Sequence, residues 1–322
     1  MKVLVTGASG LLGGAVARLL LDHGHTVRSF QRRPSNVAGV EDVLGSVTDA
    51  AAVVRAVAGM DAVFHLAAKV SFAGAAEEFD RVNVDGTRTL LDAARDAGVG
   101  DLVFVSSPSV AHSGTSIVGA GAGPAVPELA RGNYARSKAA AELLALAAAG
   151  PGFRVAAIRP HIVWGPGDTQ LVERVLNRAR SGRLPLLGHG AALIDTTYVD
   201  NAAGAIVAAL SHMEAANGLA LVVSNGEPRP VEELLAQICA AGGVRAPRIR
   251  VPGWLARGAG TGIEAVWSIR PGQDEPPMTR FLAEQLSTAH WFDQRRTRQV
   301  LEWEPAVSLD EGFQRLAAYY RP

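Results

Sequence analysis

A tyrosine and a lysine stand four positions apart in the segment Tyr134–Lys138. On a helix, that spacing places both side chains on one face. A nearby ammonium stabilises a phenolate, so we expect Lys138 to lower the pKa of Tyr134 from its usual value of about 10. Such a tyrosine can serve as a general acid or base near neutral pH. Taken alone, a pair of this kind is common and usually structural.

Serines at the end of a predicted strand strengthen the chemical interpretation of this pair. The run Ser106-Ser107-Pro108-Ser109 follows the apolar stretch that begins at Leu102. A hydroxyl there can hold a substrate carbonyl oxygen beside Tyr134. In doubly wound sheets, ligands bind beyond the carboxyl ends of the strands, where these serines would lie.

A glycine-rich turn predicts a dinucleotide site at the same edge. The chain reads Thr6-Gly7-Ala8-Ser9-Gly10-Leu11-Leu12-Gly13, between a strand-like run and a helix-like run. The first glycine allows the tight turn, the second lets backbone approach a pyrophosphate, and the third lets the helix pack on the strand. The helix start offers N–H groups to the phosphates. The predicted cofactor contacts here are Gly7, Ser9, Gly10, Leu11, Leu12 and Gly13.

The end of the second predicted strand indicates which dinucleotide binds. An NAD enzyme places a carboxylate about 20 residues on, to bind a ribose hydroxyl. Here Gln31 lies 31 − 13 = 18 residues after the last glycine, and Arg32 and Arg33 follow with no carboxylate nearby. A guanidinium can grip a 2′-phosphate with two bonds, so we predict NADP(H) over NAD(H). The alternative is a pair of solvated arginines on a surface loop.

Strand-like and helix-like segments alternate through the first half of the chain. Predicted strands are unalternating apolar runs, as expected for strands covered on both faces: Lys2–Thr6, Thr26–Phe30, Ala62–Leu66, Leu102–Ser106 and Arg154–Arg159. Helix-length segments separate them: Leu11–His23, Ala50–Ala58, Val84–Ala97 and Tyr134–Ala149. The pattern predicts an α/β fold with a doubly wound parallel sheet. We place the Rossmann core at 1–165 and a smaller, mixed substrate lobe at 166–322, with some segments returning to the core.

Composition excludes several other classes. The chain has 322 residues, of which 48% are hydrophobic and 19% charged, and its formal net charge is zero. That balance argues against disorder and against a nucleic-acid binder. The one cysteine, Cys239, excludes an intrachain disulfide and a cysteine-based metal site, and we expect no metal. We also expect no secretory signal and no membrane span, and place the protein in the cytoplasm.

These motifs together resemble the extended short-chain dehydrogenase/reductase superfamily over nearly the whole chain. Further segments that carry the resemblance are Asp61–Ala68, Asn83–Thr87, Arg159–Asp168 and Thr197–Asn201. The resemblance implies that Tyr134 is the acid/base, Lys138 its partner, Ser107 the catalytic serine and Asn83 a fourth catalytic residue. It also implies that Lys138 contacts the nicotinamide ribose. Further implied cofactor contacts are Leu66, Ala67, Ala68, Pro160, Ile162 and Val163.

Within that superfamily the chain looks like the 3β-hydroxysteroid dehydrogenase-like group. It is most similar there to the 2-alkyl-3-oxoalkanoate reductases of bacterial olefin and β-lactone biosynthesis. Segments that carry this likeness include Ser29–Arg32, Trp164–Asp168, Ser224–Pro228 and Pro276–Leu286. The likeness implies reduction of the ketone of a long-chain 2-alkyl-3-keto acid. One departure from the family is Ser46, where many members place an aspartate that contacts the adenine.

A lipid-like substrate requires an apolar pocket with a polar end. The predicted substrate residues are Ser109, His161, Trp164 and Arg280, and Arg280 or His290 is a candidate to meet a carboxylate. His161 is equally well explained as a structural histidine. Apolar residues of the later half suit an acyl-chain pocket or plain core packing: Val251, Trp254, Leu255, Ile263, Val266 and Trp267.

Several alternatives stay open. A 3β-hydroxysteroid dehydrogenase running in the oxidative direction would use the same catalytic residues. An epimerase or dehydratase is less favoured because the serine run contains no acidic residue. A non-catalytic NADP-binding regulator would often have lost the tyrosine or lysine. Small-residue faces on 84–97 and 134–149 suit a homodimer, in which relatives pair those helices, or equally packing inside the protein. A pathway enzyme is a further candidate partner.

Overall fold

The computed structural model describes residues 1–71, 74–112, 114–252, 255, 258 and 287–321. Its main sheet has seven strands, all pairing in parallel. In spatial order these are β12 (Ala220–Val223), β7 (Arg154–Pro160), β5 (Asp101–Val105), β4 (Ala62–His65), β1 (Lys2–Thr6), β2 (Thr26–Gln31) and β3 (Glu41–Leu44). The predicted doubly wound sheet is confirmed.

The central strands are sheet-forming because their side chains are buried on both faces. Every residue of β4 and β5 is buried, which explains their unbroken apolar sequences. The two outermost strands, β3 and β12, were not predicted from the sequence. β3 is a four-residue edge strand with mostly exposed side chains, so its sequence lacks the apolar run that marks the others.

Helices cover both faces of this sheet. α1 packs against α7 on one face, while α2, α4 and α5 form a contacting layer on the other. A π-helical segment, Asp80–Asp85, leads directly into α4. The helices are α1 (Leu11–Asp22), α2 (Ala50–Val57), α3 (Ala76–Phe79), α4 (Gly86–Asp96), α5 (Gly132–Ala147), α6 (Val172–Arg180), α7 (Val199–Ser211), α8 (Met213–Ala216), α9 (Val231–Ala241), α10 (Arg295–Leu301) and α11 (Leu309–Tyr320).

A second, mixed sheet lies mainly in the C-terminal part. Its strands in spatial order are β13 (Arg229–Pro230), β10 (Leu193–Ile194), β15 (His290–Phe292) and β6 (Ile117–Ala120). Two strand pairs complete the set: β8 (Val163–Trp164) with β11 (Thr197–Tyr198), and β9 (Leu186–Leu187) with β14 (Arg250–Val251). Pairing of β15 with β6 brings a C-terminal segment against the first half of the chain.

Segments of the C-terminal half also return to the main sheet, as β12 joins its edge and α7 packs beneath it.

Across the described residues, no helix is both long and apolar enough to cross a membrane.

Candidate active site

A cavity of about 410 Å³ opens at the carboxyl ends of β1, β4, β5 and β7. It is the place where a doubly wound sheet binds ligands. Fifteen of the residues predicted from the sequence line it: Gly7, Gly10, Leu11, Leu12, Gly13, Leu66, Ala68, Ser107, Ser109, Tyr134, Lys138, Pro160, His161, Ile162 and Val163. The predicted cofactor loop and the predicted catalytic residues therefore share one cavity.

The glycine loop has three different reasons for its glycines. Gly7 has a φ of 79°, which side-chain-bearing residues rarely adopt. At Gly13, an added Cβ would lie 2.2 Å from the carbonyl oxygen of Gly7, so the helix can pack this closely only with glycine. At Gly10, an added Cβ would meet its nearest protein atom at 3.5 Å, which is ordinary contact. Packing within the protein does not explain Gly10, whereas backbone approach to a phosphate does.

The start of α1 completes the fit to a dinucleotide. Gly10 is the N-cap, and within the described residues no side chain caps this helix. The first N–H groups of a helix have no intrahelical acceptor, and they favour an anion. The loop and helix start thus suit a pyrophosphate.

A buried histidine holds the loop after β4 in place. His65 Nδ1 lies 2.8 Å from Thr6 Oγ1, and its Nε2 lies 3.0 Å from Thr87 Oγ1. Thr6 Oγ1 also accepts hydrogen bonds from the backbone N–H groups of Leu66 and Ala67. Burial, and then the charge of Lys138, lower the pKa of His65 to about 3, so its ring is neutral at physiological pH. His65 is therefore part of the scaffold beside the cofactor loop.

Ser107 and Tyr134 form a hydrogen-bonded pair on the cavity wall. Ser107 caps the 3₁₀-helical turn Pro108–Ala111, and its Oγ accepts from the N–H of Ser109 at 3.3 Å and from Ser109 Oγ at 2.9 Å. With both lone pairs of its oxygen used, the Ser107 hydroxyl proton is the one available to Tyr134. Burial raises the pKa of Tyr134 to about 12, and the hydrogen bond with Ser107 opposes that rise.

Lys138 is buried near the end of β5, and the pKa of Tyr134 differs from the value expected beside this lysine. Its Nζ donates to the carbonyl oxygen of Val105 at 2.7 Å and lies 4.1 Å from the centre of the Phe104 ring. Burial lowers the pKa of Lys138 to about 7, although the Glu142 carboxylate opposes the shift. The pKa of Tyr134 is raised, contrary to the expectation that the lysine would lower it, because the cost of burying a phenolate is the largest effect.

Asn83 lies behind the catalytic helix. Its Oδ1 accepts from the N–H of Lys69 at 2.7 Å, and its Nδ2 donates to Lys69 O at 3.2 Å and to Ser137 Oγ at 2.9 Å. The side chain is buried and is not among the described residues that line the cavity. The structure therefore gives Asn83 a positioning role, since it joins the loop after β4 to α5.

The residues expected to choose the cofactor lie at the end of β2. Arg32 and Arg33 are exposed, but Gln31 is buried and donates to Ser29 Oγ at 2.8 Å and to Asp42 Oδ1 at 3.2 Å. Asp42 lies on β3 opposite Ser29, so strand pairing brings a carboxylate beside β2 that the sequence analysis did not anticipate.

Asp42 is an exposed residue whose carboxylate accepts several hydrogen bonds from its neighbours. Asp42 also accepts from the hydroxyl of Ser29 and from the backbone N–H of Ser35, at 3.0 Å to Oδ2. Burial raises the pKa of Asp42, but these hydrogen bonds outweigh it and lower the pKa below its usual value. The ionised Asp42 thereby holds the start of the loop that follows Arg32 and Arg33.

The remaining predicted residues differ in their surroundings. Trp164 belongs to the core, not to the cavity: it stacks on Phe313 with ring centres 4.4 Å apart, and its Nε1 donates to Thr196 Oγ1 at 2.9 Å. Ser9 is exposed and Ala67 is half-buried, and neither is among the lining residues. Arg280, Trp254, Ile263, Val266 and Trp267 lie outside the described residues.

Two further histidines line the cavity, and only His290 has a role predicted from the sequence. His112 follows the turn that Ser107 caps, and His290 lies on β15. His112 lies three residues after Ser109, so a position near the predicted site could be inferred from the sequence. The sequence predicts His290 as a candidate to bind a carboxylate but does not place it in the fold, because its placement depends on the pairing of β15 with β6.

Comparison with known proteins agrees with this geometry. The family model described as "NAD dependent epimerase/dehydratase family" matches residues 3–223. The chain belongs to this family. A 2-alkyl-3-oxoalkanoate reductase of Stenotrophomonas maltophilia is 43% identical, with 99% of each chain covered. A 3 beta-hydroxysteroid dehydrogenase/Delta 5-->4-isomerase of Mycobacterium tuberculosis is 33% identical, over 99% of this chain and 90% of that protein.

Solved structures support the same placement within the family. The structure of MoeE5 in complex with UDP-glucose and NAD superposes with a TM-score of 0.76 at 25% identity, covering 100% of this chain and 99% of that one. As an extended short-chain dehydrogenase/reductase with 3β-hydroxysteroid dehydrogenase-like relatives, this family member is an NAD(P)-dependent oxidoreductase. That decides against a non-catalytic regulator, and the relatives support a ketoreductase role.

Proposed function

We propose that the chain reduces the C3 ketone of a 2-alkyl-3-oxoalkanoate to the 3-hydroxy acid, with NADPH as reductant. The observation that carries the proposal is the shared cavity, on which Ser107, Tyr134 and Lys138 line one wall and the glycine loop another. Two relatives named 2-alkyl-3-oxoalkanoate reductase, 43% and 37% identical, support the substrate class. Residues 166–322 act as the substrate lobe in this proposal and 1–165 as the cofactor core.

Ser107, Tyr134 and Lys138 have different roles in the proposed reaction. When substrate binds, Ser107 turns its hydroxyl proton from Tyr134 to the substrate's carbonyl oxygen, since both its lone pairs are already used by Ser109. When bound, the reduced nicotinamide supplies a hydride to the carbonyl carbon. Tyr134 then passes its phenol proton to the oxygen, which becomes the product hydroxyl. Lys138 stands one helical turn away and contributes a positive charge that favours the phenolate left behind.

The raised pKa of Tyr134 favours the reductive direction. At a pKa of about 12 the phenol is protonated at neutral pH, and this is the form that can donate to an alkoxide. An oxidative enzyme would instead need the phenolate as its base. A protonated Tyr134 is therefore consistent with the proposed direction of ketone reduction.

Arg32 and Arg33 support NADPH over NADH. Both guanidinium groups are exposed directly after β2, where they can meet a 2′-phosphate, while Asp42 is engaged by Ser29, Gln31 and Ser35. The hydrogen bonds that Asp42 Oδ1 already accepts make that oxygen a poorer acceptor for a ribose hydroxyl.

Oxidation of a 3β-hydroxysteroid is the second candidate, favoured by the M. tuberculosis relative at 33% identity. Product analysis separates the two. The purified chain is incubated with NADPH and a 2-alkyl-3-oxoalkanoate, or with NAD⁺ and a 3β-hydroxysteroid, and the products are identified by mass spectrometry. Formation of the 3-hydroxy acid supports our proposal, and steroid oxidation without it contradicts the proposal.

We also propose that the enzyme is a homodimer that pairs α4 and α5 across its axis. Leu143 on α5 is 46% exposed, which is consistent with an apolar contact surface on that helix. Size-exclusion chromatography with light scattering should give twice the chain mass. A monomer mass at micromolar concentration would end the dimer proposal.

A further inference from the structure

Three buried histidines form one side of the cavity. His112 and His290 lie with their Nε2 atoms 2.9 Å apart, and the ring centres of His161 and His290 are 6.1 Å apart. All three rings line the cavity, although each residue is at most 4% exposed. We call His112, His161 and His290 the histidine cluster.

The cluster is built from three distant segments. His112 ends the turn after β5, His161 directly follows β7, and His290 begins β15. Strand pairing sets its position, since His290 is opposite Ile194 on one side and Ile117 on the other. The cluster therefore closes the cavity at the junction between the main sheet and the mixed sheet.

Backbone contacts orient individual rings of the cluster. His161 Nδ1 donates to the carbonyl oxygen of Asp195, which leaves Nε2 as the ring's other polar atom. His290 Nε2 also lies 3.1 Å from Thr288 Oγ1. The Phe292 and His161 rings pack in a T-shaped arrangement with centres 4.9 Å apart. These contacts give the cluster a defined arrangement before any substrate binds.

The acidic residue on the lining has hydrogen-bond partners outside the histidine cluster. Asp168 lines the cavity, but its carboxylate accepts hydrogen bonds from the backbone N–H groups of Gln170, Leu171 and Val172. The cluster is also unlike a metal site, since the part of the chain that the structure describes holds no group of three or more ligand-type residues suited to a metal ion.

We infer that the histidine cluster binds the carboxyl group of the substrate. The inference rests on the proposed function and names the part of the cavity that recognises the acid. A carboxylate accepts hydrogen bonds from imidazole N–H groups, and with a shared proton it also satisfies a ring lone pair.

The turn after β5 connects the catalytic serine to the histidine cluster. Ser107 caps the start of the turn, and the N–H of His112 at its end donates to the carbonyl of Ser109 at 3.2 Å. In the proposed reaction Ser107 holds the ketone oxygen, and a β-keto acid separates its ketone carbon from its carboxyl carbon by one carbon atom. The inference therefore places both polar groups of the substrate against one segment of the chain.

Equilibrium binding tests the inference without relying on turnover. The probes are 3-hydroxydecanoate and its methyl ester, which differ in charge and are similar in shape, titrated into the full chain with NADP⁺ present. The unsubstituted protein should bind the acid at least tenfold more tightly than the ester. His290→Leu and His112→Leu should each weaken acid binding at least tenfold and change ester binding less than twofold. His290→Gln, which restores an N–H donor, should recover part of the lost affinity.

Two controls accompany these titrations. His23→Leu removes an exposed histidine far from the cavity and should leave all affinities unchanged. NADP⁺ affinity and thermal unfolding show whether each variant is folded.

Equal binding of acid and ester by the unsubstituted protein would overturn the inference, as would equal loss of both in folded histidine variants. The proposed function fails separately: acid binding that depends on the histidines, without ketone reduction, would retain the carboxyl site and reject the reaction.

Discussion

The two sides of the cavity are built in different ways. The cofactor side is a continuous backbone loop, Gly7–Gly13, pinned by Thr6 to the loop after β4. The substrate side is an assembly of side chains, in which His112 and His290 are in contact although 178 residues separate them along the chain. Contiguous backbone recognises a group that all such enzymes share, whereas assembled side chains can differ with the substrate. Changes on the first side should therefore affect every substrate, and changes on the second should be selective.

The largest effect should come from the residue between the two sides. Tyr134→Phe removes the proton donor and should lower kcat by roughly 10²–10⁴-fold, while the dissociation constant of NADPH stays unchanged. Steady-state kinetics and fluorescence titration with NADPH measure the two quantities. Tyr319→Phe, at a tyrosine 54% exposed on α11, is the matched control and should behave as the unsubstituted enzyme. Near-normal turnover by Tyr134→Phe would remove the tyrosine from the mechanism.

Two glycine substitutions separate folding from cofactor binding on the loop side. Gly13→Ala forces a Cβ to within 2.2 Å of Gly7 O and should destabilise the protein by about 1–3 kcal/mol. Gly10→Ala, where the nearest protein atom is 3.5 Å away, should leave the free energy of unfolding unchanged but weaken NADPH binding. Urea unfolding and NADPH titration distinguish the two. If Gly10→Ala bound NADPH normally, the assignment of that glycine to the pyrophosphate would be wrong.

The arginines at the end of β2 should set cofactor preference more weakly, because both are exposed to solvent. In Arg32→Gln/Arg33→Gln we expect kcat/KM for NADPH to fall about tenfold, equivalent to about 1.4 kcal/mol. The value for NADH should be unaffected. Arg180→Gln, at an exposed arginine on α6, is the control. An equal fall for both cofactors would show that the pair does not contact the 2′-phosphate.

A further effect, on stability and not on catalysis, concerns the charge of Lys138. Burial lowers its pKa to about 7, below the value near 10.4 of an unfolded chain. Between these values the unfolded state binds more protons, so stability should rise with pH by up to about 1.4 kcal/mol per unit. Urea unfolding at pH 7, 8 and 9 measures the slope, which Lys138→Met should reduce and Lys2→Met should retain. Identical slopes in the unsubstituted protein, Lys138→Met and Lys2→Met would show that Lys138 does not cause the pH dependence of stability.

The difference between a contiguous loop and an assembly of distant side chains also explains which parts of the site could be predicted from the sequence. The glycine loop and the Tyr134–Lys138 pair were predictable because each is contained in one short segment and its spacing has a physical meaning. Asp42 beside Gln31 was not, since it depends on which strand pairs with β2. The contact of His112 with His290 depends on β15, a three-residue strand with no strong pattern of its own. Trp164 is of a residue type that suits a ligand pocket, and only its packing against Phe313 shows that it belongs to the core.

The central claim is reduction of a β-keto acid by NADPH, and the absorbance of the reduced nicotinamide tests it most directly. The purified chain is mixed with NADPH or NADH, and with a 2-alkyl-3-oxoalkanoate or a 3-ketosteroid, in all four combinations. Our account predicts rapid loss of absorbance with NADPH and the keto acid, and little with the steroid. Turnover of the steroid with NADH, without turnover of the keto acid, would contradict both the proposed substrate and the proposed cofactor.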